Sequence, residues 1–445
     1  MIGKALAHDS AWLHVSGKAR YVDDLPEPAG TLHAALGMAA VAHARILSMD
    51  LDPVRAAPGV RAVLAASDIP GANNVGPVIA DEPVFAADTV LFHGQPLYAV
   101  AADTVEAARR AARLARIGCE ALEPVLTLDH AMERNAFVLP SLKVARGDPA
   151  AALAGATHRI RGRLRCGGQE HFYLEGQVAL AIPGERGEML VHASTQHPSE
   201  IQHLVAAALG EPSSAVTVEL RRLGGGFGGK ETQAAVYAVE AALLARATGR
   251  PVKLRVDRDD DMIGTGKRHD FRYDYEAGFD ADGRIRALKL DMASRCGISA
   301  DLSGAVNDRA VFHADNCYFL EHVAIASHRC RTNTVSNTAF RGFGGPQGVI
   351  VIERILSDIA RTLGLDPLDV RLRNLYGIEE RNTTHYQMKV EDNILQPLIS
   401  QLALTSRYRE RREQIAAWNA QSPVIKKGIA LTPVKFGISF TATLF

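Results

Sequence analysis

Two glycine-rich segments share the core Gly-Phe-Gly-Gly, one within 224–231 (the first glycine loop) and one within 340–347 (the second glycine loop). Glycine accepts positive φ angles and lets a ligand approach main-chain N–H groups closely. Such N–H groups at a helix start favour an anionic or oxo-rich group. A phenylalanine among glycines has few neighbours to bury its ring, so two such rings suit a flat aromatic ligand. Two tight turns without a ligand are the alternative, which the recurrence of the core makes the weaker one.

The composition is that of a globular protein with a sizeable core. The 445 residues are too many for one ordinary domain, and 47% of them are apolar. Fifty basic and fifty acidic residues cancel, which indicates neither a nucleic-acid nor a membrane-surface partner. No apolar run reaches the ~20 residues of a transmembrane helix, and the first residues lack the apolar core of a signal peptide. We therefore expect a soluble cytoplasmic protein.

The cysteines argue against two common kinds of redox and metal chemistry. Their number is odd and no CxxC pair occurs, since they stand at Cys119, Cys166, Cys296, Cys317 and Cys330. A disulfide framework and iron–sulfur ligation are therefore unsupported. No HExxH motif and no Cys/His zinc spacing is present either. If a metal works here, protein side chains do not hold it in the usual way.

Local patterns divide the chain into two parts. Residues 1–130 indicate a small α/β unit, because the strand-like run 95–102 precedes an alanine–arginine helix to about Arg116 and a strand over 117–122. Segment 131–150 has scattered Pro, Gly and charge, which favours a linker. In 151–445 alternating strands appear, and each glycine loop leads into an apolar helical stripe. The sequence predicts a mixed α/β (α+β) protein with two domains.

Four polar residues, two of them within the glycine loops, are candidates for a ligand site, and each has a structural alternative. Glu231 begins a helix, where its carboxylate either interacts with the helix dipole or hydrogen-bonds a polar ligand. Arg309 stands beside Asp308, which favours a surface ion pair over a ligand clamp. Arg341 lies in the second glycine loop, where a guanidinium can fork onto an anion. Gln196 follows a strand and can hydrogen-bond an oxo group.

The first glycine loop also fits the front of a nucleotide P-loop, Gly-x4-Gly-Lys, between a strand and a helix. A P-loop requires Ser or Thr after the lysine to hold Mg²⁺, but Glu231 stands there. A carboxylate repels a triphosphate, and Phe227 crowds the phosphate cradle. A P-loop nucleotide-binding protein is therefore a remote alternative.

Taken together, these strings resemble the molybdenum hydroxylases, and within them the molybdopterin-binding large subunits of the xanthine dehydrogenase family. The resemblance begins near 17–24 and covers nearly the whole chain. The matching strings, in family order and spacing, are GGQEHFYLE at 167–175, STQHP at 194–198, GGGFGGKE at 224–231, DRAVFHADNCY at 308–318 and SNTAFRGFGGPQ at 336–347. It implies a small N-terminal α/β hammerhead-type domain followed by an incomplete α+β domain that binds the molybdenum cofactor.

For the cofactor, the resemblance implies a role for four residues. Gln196 would hydrogen-bond an oxygen on molybdenum. Phe227 and Gly228 would line the apical side of the metal, with the Gly228 N–H as a donor. Arg341 would help to fix the cofactor loop. No side chain would ligate molybdenum directly, because molybdopterin holds the metal.

For the substrate, the resemblance implies that Phe343 stacks on a purine, while Glu231 and Arg309 hydrogen-bond its heteroatoms and act in catalysis. Aldehyde-oxidising relatives tend to lack both polar residues, and carbon monoxide dehydrogenases carry a cysteine loop at 339–343. The sequence therefore fits the purine branch. We expect the rings of Phe227 and Phe343 to lie on opposite sides of one slot.

The implied activity is hydroxylation of hypoxanthine and xanthine to urate, a step of purine catabolism, with water as the oxygen source. Electrons would pass to 2Fe-2S clusters and FAD on a separate small partner subunit and on to NAD. The complete enzyme would be a cytoplasmic hetero-oligomer. An aldehyde or another N-heterocycle stays open as the substrate.

One departure from the family concerns the end of the chain. In the family the large subunit continues for several hundred residues, which carry the glutamate general base and much of the cofactor cradle. The strand-like run 428–440 ends here without a closing turn. We therefore expect a truncated domain, and an isolated chain that is inactive or only pairs with partner chains.

Overall fold

The computed structural model describes residues 2–437. Its strands, in chain order, are β1 Leu32–Met38, β2 Ala44–Asp50, β3 Val60–Ala65, β4 Thr89–Val90, β5 Pro96–Ala102, β6 Arg116–Ala121, β7 Phe137–Arg146, β8 His158–Cys166, β9 Val178–Pro183, β10 Met189–Ala193, β11 Val216–Glu219, β12 Val252–Arg255, β13 Phe271–Phe279, β14 Ile285–Gly297 and β15 His322–Arg331.

The longer helices of the same residues lie mainly in the second half of the chain. The described helices are α1 Ala11–Val15, α2 Asp52–Arg55, α3 Val105–Ala111, α4 Leu128–Glu133, α5 Pro149–Gly155, α6 Pro198–Leu209, α7 Ala234–Thr248, α8 Arg258–Gly264, α9 Ser303–Phe312, α10 Gly345–Leu363, α11 Pro367–Asn374, α12 Leu395–Thr405 and α13 Tyr408–Gln421. None of these helices has the length and apolar content needed to cross a membrane.

The largest sheet joins the two parts of the chain. Its order is β11-β10-β9-β12-β1-β5-β3, and β1 pairs in parallel with β12, with Leu32 opposite Val252. All residues of β5 after the first are buried, which is typical of a strand covered on both faces. Helices α6 and α7 pack on this sheet through small residues such as Ala206, Ala238 and Ala242. Because alanine has only a methyl side chain, the helices approach the strands closely.

A second sheet has the order β7-β15-β14-β13-β8 and is covered by α10. Of the stripe that the sequence predicts for α10, Ile352, Ile355 and Ile359 are fully buried in this core, and Leu363 is partly buried against it. The Tyr273 hydroxyl of β13 donates to the carbonyl of Gln347 at 2.7 Å, which fixes the start of α10. A third, small sheet of order β4-β2-β6 shares a core with α3 and the far face of β5.

The segment 131–150, predicted to be a linker, contains a strand. β7 pairs antiparallel with β15 along the edge of the second sheet, with Val144 opposite Ile325. Pro140 and Gly147 obscure the alternating pattern of this strand, and an edge strand tolerates a proline because one side of it is unpaired. The division into domains at this segment stays a prediction.

The described part of 428–440, predicted to be a strand, is extended without a strand ladder in residues 428–437, and 438–440 lie outside the described residues. Side chains hold this segment instead. The Lys435 N–H donates to Asn316 Oδ1 at 2.9 Å, and Lys435 Nζ forms an ion pair with Asp315 at 2.6 Å. The segment therefore lies against the turn that comes directly after α9.

Candidate active site

The two glycine loops form the same tight turn. In the turns 226–229 and 342–345, the N–H of the fourth residue donates to the carbonyl of the first at 2.8 and 2.9 Å. The second residue is left-handed in both turns, with φ 55° at Phe227 and 47° at Phe343, and the glycine after it has φ 99° or 93°. Left-handed φ at both central positions is costly for a phenylalanine, and such strain clusters at ligand sites.

The two glycine loops meet, as the sequence predicts. The Arg341 N–H donates to the Phe227 carbonyl at 2.8 Å. A side chain at Gly228 would have its Cβ 2.6 Å from the carbonyl oxygen of Ala339, so only glycine fits there. The ring of Phe227 is 47% exposed and that of Phe343 is half-buried, so neither is sealed in the core. Their placement on opposite sides of one slot stays a prediction.

Gln196 lies directly on the first glycine loop. Its Oε1 accepts from the Gly228 N–H at 2.8 Å and from the Lys230 N–H at 3.4 Å. In this structure Gln196 therefore takes the N–H of Gly228, and the donor role of that N–H toward a ligand stays a prediction. Because Gly228 and Lys230 both donate an N–H, the amide oxygen of Gln196 faces the loop. The Nε2 of this exposed side chain therefore points away from the two N–H groups and can donate to a ligand.

A group of carboxyls stands behind the first glycine loop. Burial raises the pKa of Glu231, and the charge of Asp301 raises it further. Burial likewise raises the pKa of Glu200 to about 7, with smaller contributions from the charges of Asp301 and Glu231. Glu231 therefore has a tendency to hold a proton, which makes it a hydrogen-bond donor to a ring nitrogen as well as an acceptor.

Arg309 is buried on α9, and its neighbour Asp308 does not pair with it. Asp308 instead forms an ion pair with Arg329, so the surface ion pair considered for Arg309 is wrong. Arg309 is 8% exposed, and burial lowers its pKa. Its Nη2 donates to the carbonyl of Gly437, and its guanidinium lies 4.7 Å from the ring centre of Phe436.

Helix α9 brings Arg309 to the second glycine loop. A Cβ at Gly344 would lie 2.0 Å from the carbonyl oxygen of Val306, and one at Gly348 would lie 2.2 Å from that of Ala310. The backbones of α9 and α10 are therefore in direct contact, and only glycine permits it. Arg309 and the turn that carries Phe343 belong to one packed unit.

The second glycine loop is supported from below by stacked rings. The guanidinium of Arg268 lies 4.0 Å from the ring centre of Phe340, and its Nη2 donates to the Arg341 carbonyl at 2.8 Å. The imidazole of His171 also packs on this ring, 4.6 Å from the Phe340 ring centre, with Nε2 2.7 Å from the Ala339 carbonyl. Burial lowers the pKa of His171, which favours a neutral ring that donates from Nε2.

The geometry of Lys230 excludes a P-loop. Its side chain is fully buried, and Nζ donates to the Glu175 carbonyl and to Ser194 Oγ, both at 2.7 Å. The ammonium also lies 4.6 Å from the ring centre of Tyr173. A lysine with this environment points into the protein and supports the loop, whereas a P-loop lysine must reach the phosphates of its ligand.

The site suits a cofactor that carries oxo groups and a flat ring system. The Gln196 Nε2 offers a donor at the surface, and the ring of Phe227 is exposed beside it, whereas Gly226, Gly228 and Gly229 of the same turn are buried. A Cβ at Gly226 would lie 2.4 Å from Gln196 Oε1, so only glycine at this position lets Gln196 pack directly on the first glycine loop. Molybdopterin has these chemical groups, and the residues fit it.

Comparison with known protein families decides the assignment. A family model described as the molybdopterin cofactor-binding domain matches residues 129–375. The chain belongs to this family. A second model, the a/b hammerhead domain of aldehyde oxidase and xanthine dehydrogenase, matches residues 16–123. The fold is therefore a hammerhead domain followed by a molybdenum-cofactor-binding domain, and the cofactor of the family is molybdopterin.

Curated relatives of this family member are xanthine dehydrogenases. The chain is 42% identical over 441 residues to the xanthine dehydrogenase/oxidase of Gallus gallus, which covers 99% of this chain and 32% of the relative. It is 41% identical over 444 residues to the xanthine dehydrogenase of Oryza sativa subsp. japonica, again over 99% of this chain and 32% of the relative. The chain thus spans about one third of the length of the curated relatives it matches.

Solved structures of the family share the fold. Quinoline 2-oxidoreductase from Pseudomonas putida 86 superposes with a TM-score of 0.86 at 26% identity, over 94% of this chain and 56% of that one. The aldehyde oxidoreductase from Desulfovibrio gigas gives a TM-score of 0.85 at 27% identity, over 94% of this chain and 47% of that one. Together these findings support an oxidoreductase of the molybdenum hydroxylase type.

Sequence reasoning missed two carboxyls at this site. Asp301 stands between Ala300 and Leu302, and a charged residue in such an apolar run was the available signal. Glu200 lies two residues beyond the STQHP string, in the first turn of α6, where a carboxylate is normally explained by the helix dipole. Neither position reveals from sequence alone that both side chains face Glu231.

Proposed function

We propose that this chain is part of a xanthine dehydrogenase, a molybdenum hydroxylase that converts hypoxanthine and xanthine to urate with oxygen from water. The observation that carries the proposal is the joint presence of Glu231 and Arg309 in the packed unit formed by the two glycine loops. Both are largely withdrawn from water. Buried ionisable groups with shifted pKa values cluster at functional sites, and burial shifts the pKa of both residues, raising it for Glu231 and lowering it for Arg309.

The cofactor would be held by the exposed side of the first glycine loop. The Gln196 Nε2 would donate to an oxygen of the cofactor, and the Phe227 ring would cover one side of it. Gly228 would act by orienting Gln196, since its N–H donates to Oε1 at 2.8 Å. Arg341 would hold the two loops together through its main chain. When bound, molybdopterin supplies a molybdenum centre that takes two electrons from the substrate carbon.

The substrate would be held by the second glycine loop and α9. The ring of Phe343 would stack on the flat purine, which fixes the plane of the substrate. Glu231 would hydrogen-bond a ring nitrogen, because its raised pKa lets it donate as well as accept. Arg309 would face a purine oxygen and stabilise the negative charge that develops there, a contribution that preorganised charge makes efficiently.

The electrons would leave through 2Fe-2S clusters and FAD on a small partner subunit and reach NAD. All cysteines of this chain are free thiols, and none is placed with others as a cluster site within the described residues. Free thiols also fit the reducing cytoplasm, where we place the hetero-oligomer. Co-purification from the native host tests the partner: a flavin spectrum and iron should accompany this chain, and preparations without either would contradict it.

Substrate class is tested by two substitutions in the enzyme as it is purified from its host. Glu231→Gln and Arg309→Met should each lower kcat/KM for xanthine by roughly 10²–10³-fold, the usual effect of losing one preorganised partner of the transition state. Turnover of an aromatic aldehyde should stay the same or rise, because an aldehyde makes no use of these groups. Steady-state assays with both substrates measure the difference.

The control is Arg361→Met, which removes a cation from the exposed face of α10 without touching the site. It should leave both substrates unaffected. Quinoline and an aldehyde serve as the alternative substrates, because the solved structures with the same fold include a quinoline 2-oxidoreductase and an aldehyde oxidoreductase. If purine turnover survives both substitutions while quinoline or aldehyde turnover falls, the site serves one of those substrates instead.

A further inference from the structure

Asp301 connects the two glycine loops although it belongs to neither. Its Oδ2 accepts from Thr232 Oγ1 at 2.7 Å, and its Oδ1 accepts from Thr338 Oγ1 at 2.7 Å. Thr232 directly follows the first glycine loop, and Thr338 stands just ahead of the second. The two threonine hydroxyls also lie 3.1 Å from each other. One carboxylate thus links the residue after the first glycine loop to a residue just before the second.

We propose that Asp301 is a positioning residue that locks the two glycine loops in register, and that the neighbouring carboxyl of Glu82 makes this lock depend on pH. A role of this lock in cofactor binding rests on the proposed function, in which the two loops hold the cofactor. The lock itself is a property of this chain. It is therefore testable without turnover.

The chemistry of the site requires a carboxylate at position 301. Besides the two threonines, Asp301 accepts from Gln233 Nε2 at 3.0 Å and from the Leu302 N–H at 2.5 Å. All four partners donate, so an ionised carboxylate satisfies them and an amide does not. The residue is 3% exposed, and its backbone is left-handed with φ 39°, so the surroundings hold it in a strained conformation.

Glu82 comes from the hammerhead part of the chain and lies beside this lock. It accepts from Ser299 Oγ at 2.7 Å, and the adjacent Asp81 accepts from the Ala300 N–H at 2.8 Å. Burial, and after it the charge of Asp301, raise the pKa of Glu82 to about 8. Burial raises the pKa of Asp301 as well, but its four donors favour the ionised form, so we assign the proton of this pair to Glu82, which has fewer donors.

The charged groups around this pair are mainly acidic. Asp81 faces Glu82 from its own segment, while Glu231 and Glu200 face Asp301 from the first glycine loop and from α6. No cation acts on Glu82 or Asp301 among their leading electrostatic partners in the described part of the chain. Ionisation of Glu82 therefore adds a second uncompensated charge, which competes with Asp301 for the surrounding donors.

A cavity gives protons a route to the pair. It has a volume of about 360 Å³, and its lining runs from Glu82, Asp301 and Thr232 to Arg109 and the exposed Arg113. A cavity of this size holds several waters. Glu82 can therefore exchange its proton with solvent while the fold stays closed, and the lock responds to pH at equilibrium.

Hydrogen–deuterium exchange of the full 445-residue chain between pH 6 and 9.5 tests the proposal, read on peptides covering 224–232 and 338–347. After correction for the intrinsic pH dependence of exchange, protection of both loops should fall at least about 10-fold as the pH rises through 8. Glu82→Gln should abolish this change, because an amide cannot ionise. Asp301→Asn should lower protection of both loops at every pH.

The matched control is Asp315→Asn, another fully buried aspartate, which holds Lys435 rather than the loops. It should loosen 433–437 and leave both glycine loops protected. The proposal fails if the loops of the wild-type chain show no change through pH 8, or if Glu82→Gln shows the same change. If Asp301→Asn does not fold, the wild-type chain and Glu82→Gln still decide the outcome. A wrong substrate assignment leaves these results unaffected, so the two proposals fail separately.

Discussion

The main-chain N–H of Arg341 donates to the carbonyl of Phe227 at 2.8 Å, which joins two loops that are far apart in the chain. The contact is close because Gly228, the next residue, has no side chain. The main chain directly before the second glycine loop leaves no room for a Cβ, which would lie 2.6 Å from the Ala339 carbonyl oxygen. The contact between the two loops thus requires glycine at position 228.

Gly228→Ala should therefore separate the two loops. The backbone there has φ 99°, so the substitution adds conformational strain of roughly 1–2 kcal/mol to the clash with backbone. We expect the free energy of unfolding to fall by more than about 2 kcal/mol, measured by urea titration. The molybdopterin content of the protein purified from its host should fall with it.

Gly249→Ala is the matched control for that substitution. Gly249 is also left-handed, with φ 64°, but a Cβ there meets nothing within 4 Å. It should lose only about 1 kcal/mol and keep its molybdopterin. Equal losses for the two variants would mean that the contact between the loops contributes nothing beyond local backbone strain.

Lys230→Met should destabilise the fold, and we expect neither the variant nor the wild-type chain to bind a nucleotide. The ammonium is buried against Glu175 and Ser194, and burial lowers its pKa to about 8. Removing it leaves the Glu175 carbonyl and carboxylate without their cation, which costs about 3 kcal/mol. Chemical denaturation measures the loss, and calorimetric titration of the wild-type chain with Mg²⁺ and ATP should detect no binding.

Lys143→Met, on the exposed side of β7, supplies the comparison and should change stability by less than about 0.5 kcal/mol. ATP binding that disappears in Lys230→Met would be the contrary result. It would restore the P-loop alternative that the buried ammonium excludes.

How much of this fold is readable from sequence depends on whether the signal is local. The helix after each glycine loop was predictable, because its apolar stripe repeats every three to four residues and a left-handed glycine ends it, Gly249 in α7 and Gly364 in α10. The parallel pairing of β1 with β12 was not predictable. It joins distant segments, and neither strand alone indicates its neighbour.

The same distinction holds at the candidate site. Gln196, Phe227 and Arg341 belong to recognisable strings, and the structure brings them together through one side-chain and one main-chain hydrogen bond. Asp301 belongs to no such string. Its importance lies in hydrogen bonds to Thr232 and Thr338, which are distant in sequence, and no periodicity or spacing encodes such a contact.

Glu240→Met should stabilise the chain, and more so as the pH rises. Glu240 is fully buried in α7, and neither carboxyl oxygen has a hydrogen-bond partner within the described residues. Burial raises its pKa well above the usual value of 4.5. The destabilising effect of Glu240 is therefore smallest below about pH 4.5 and grows as the pH rises toward the raised pKa.

At pH 7 the gain from Glu240→Met should be about 1–3 kcal/mol, because the unpartnered carboxyl is removed and its volume is largely kept. Urea titrations at pH 5 and pH 8 measure the trend. Glu413→Met, on the exposed face of α13, should change stability by less than about 0.5 kcal/mol at both values. A loss of stability in Glu240→Met would reveal a polar partner for this carboxyl in the assembled protein.

Glu200 should set the pH dependence of substrate affinity in the assembled enzyme. Burial raises its pKa to about 7, with further contributions from the charges of Asp301 and Glu231. As the pH rises through 7, its ionisation adds negative charge beside Glu231. KM for an anionic purine should therefore rise with pH from 6 to 8.5, while kcat changes less, since Glu200 lies behind the loop rather than on the substrate.

In Glu200→Gln the amide carries no charge, so KM should stay nearly constant over this range. Steady-state kinetics of both proteins decide the matter: a KM that rises equally in the variant would assign the pH dependence to the substrate or to Glu231 itself.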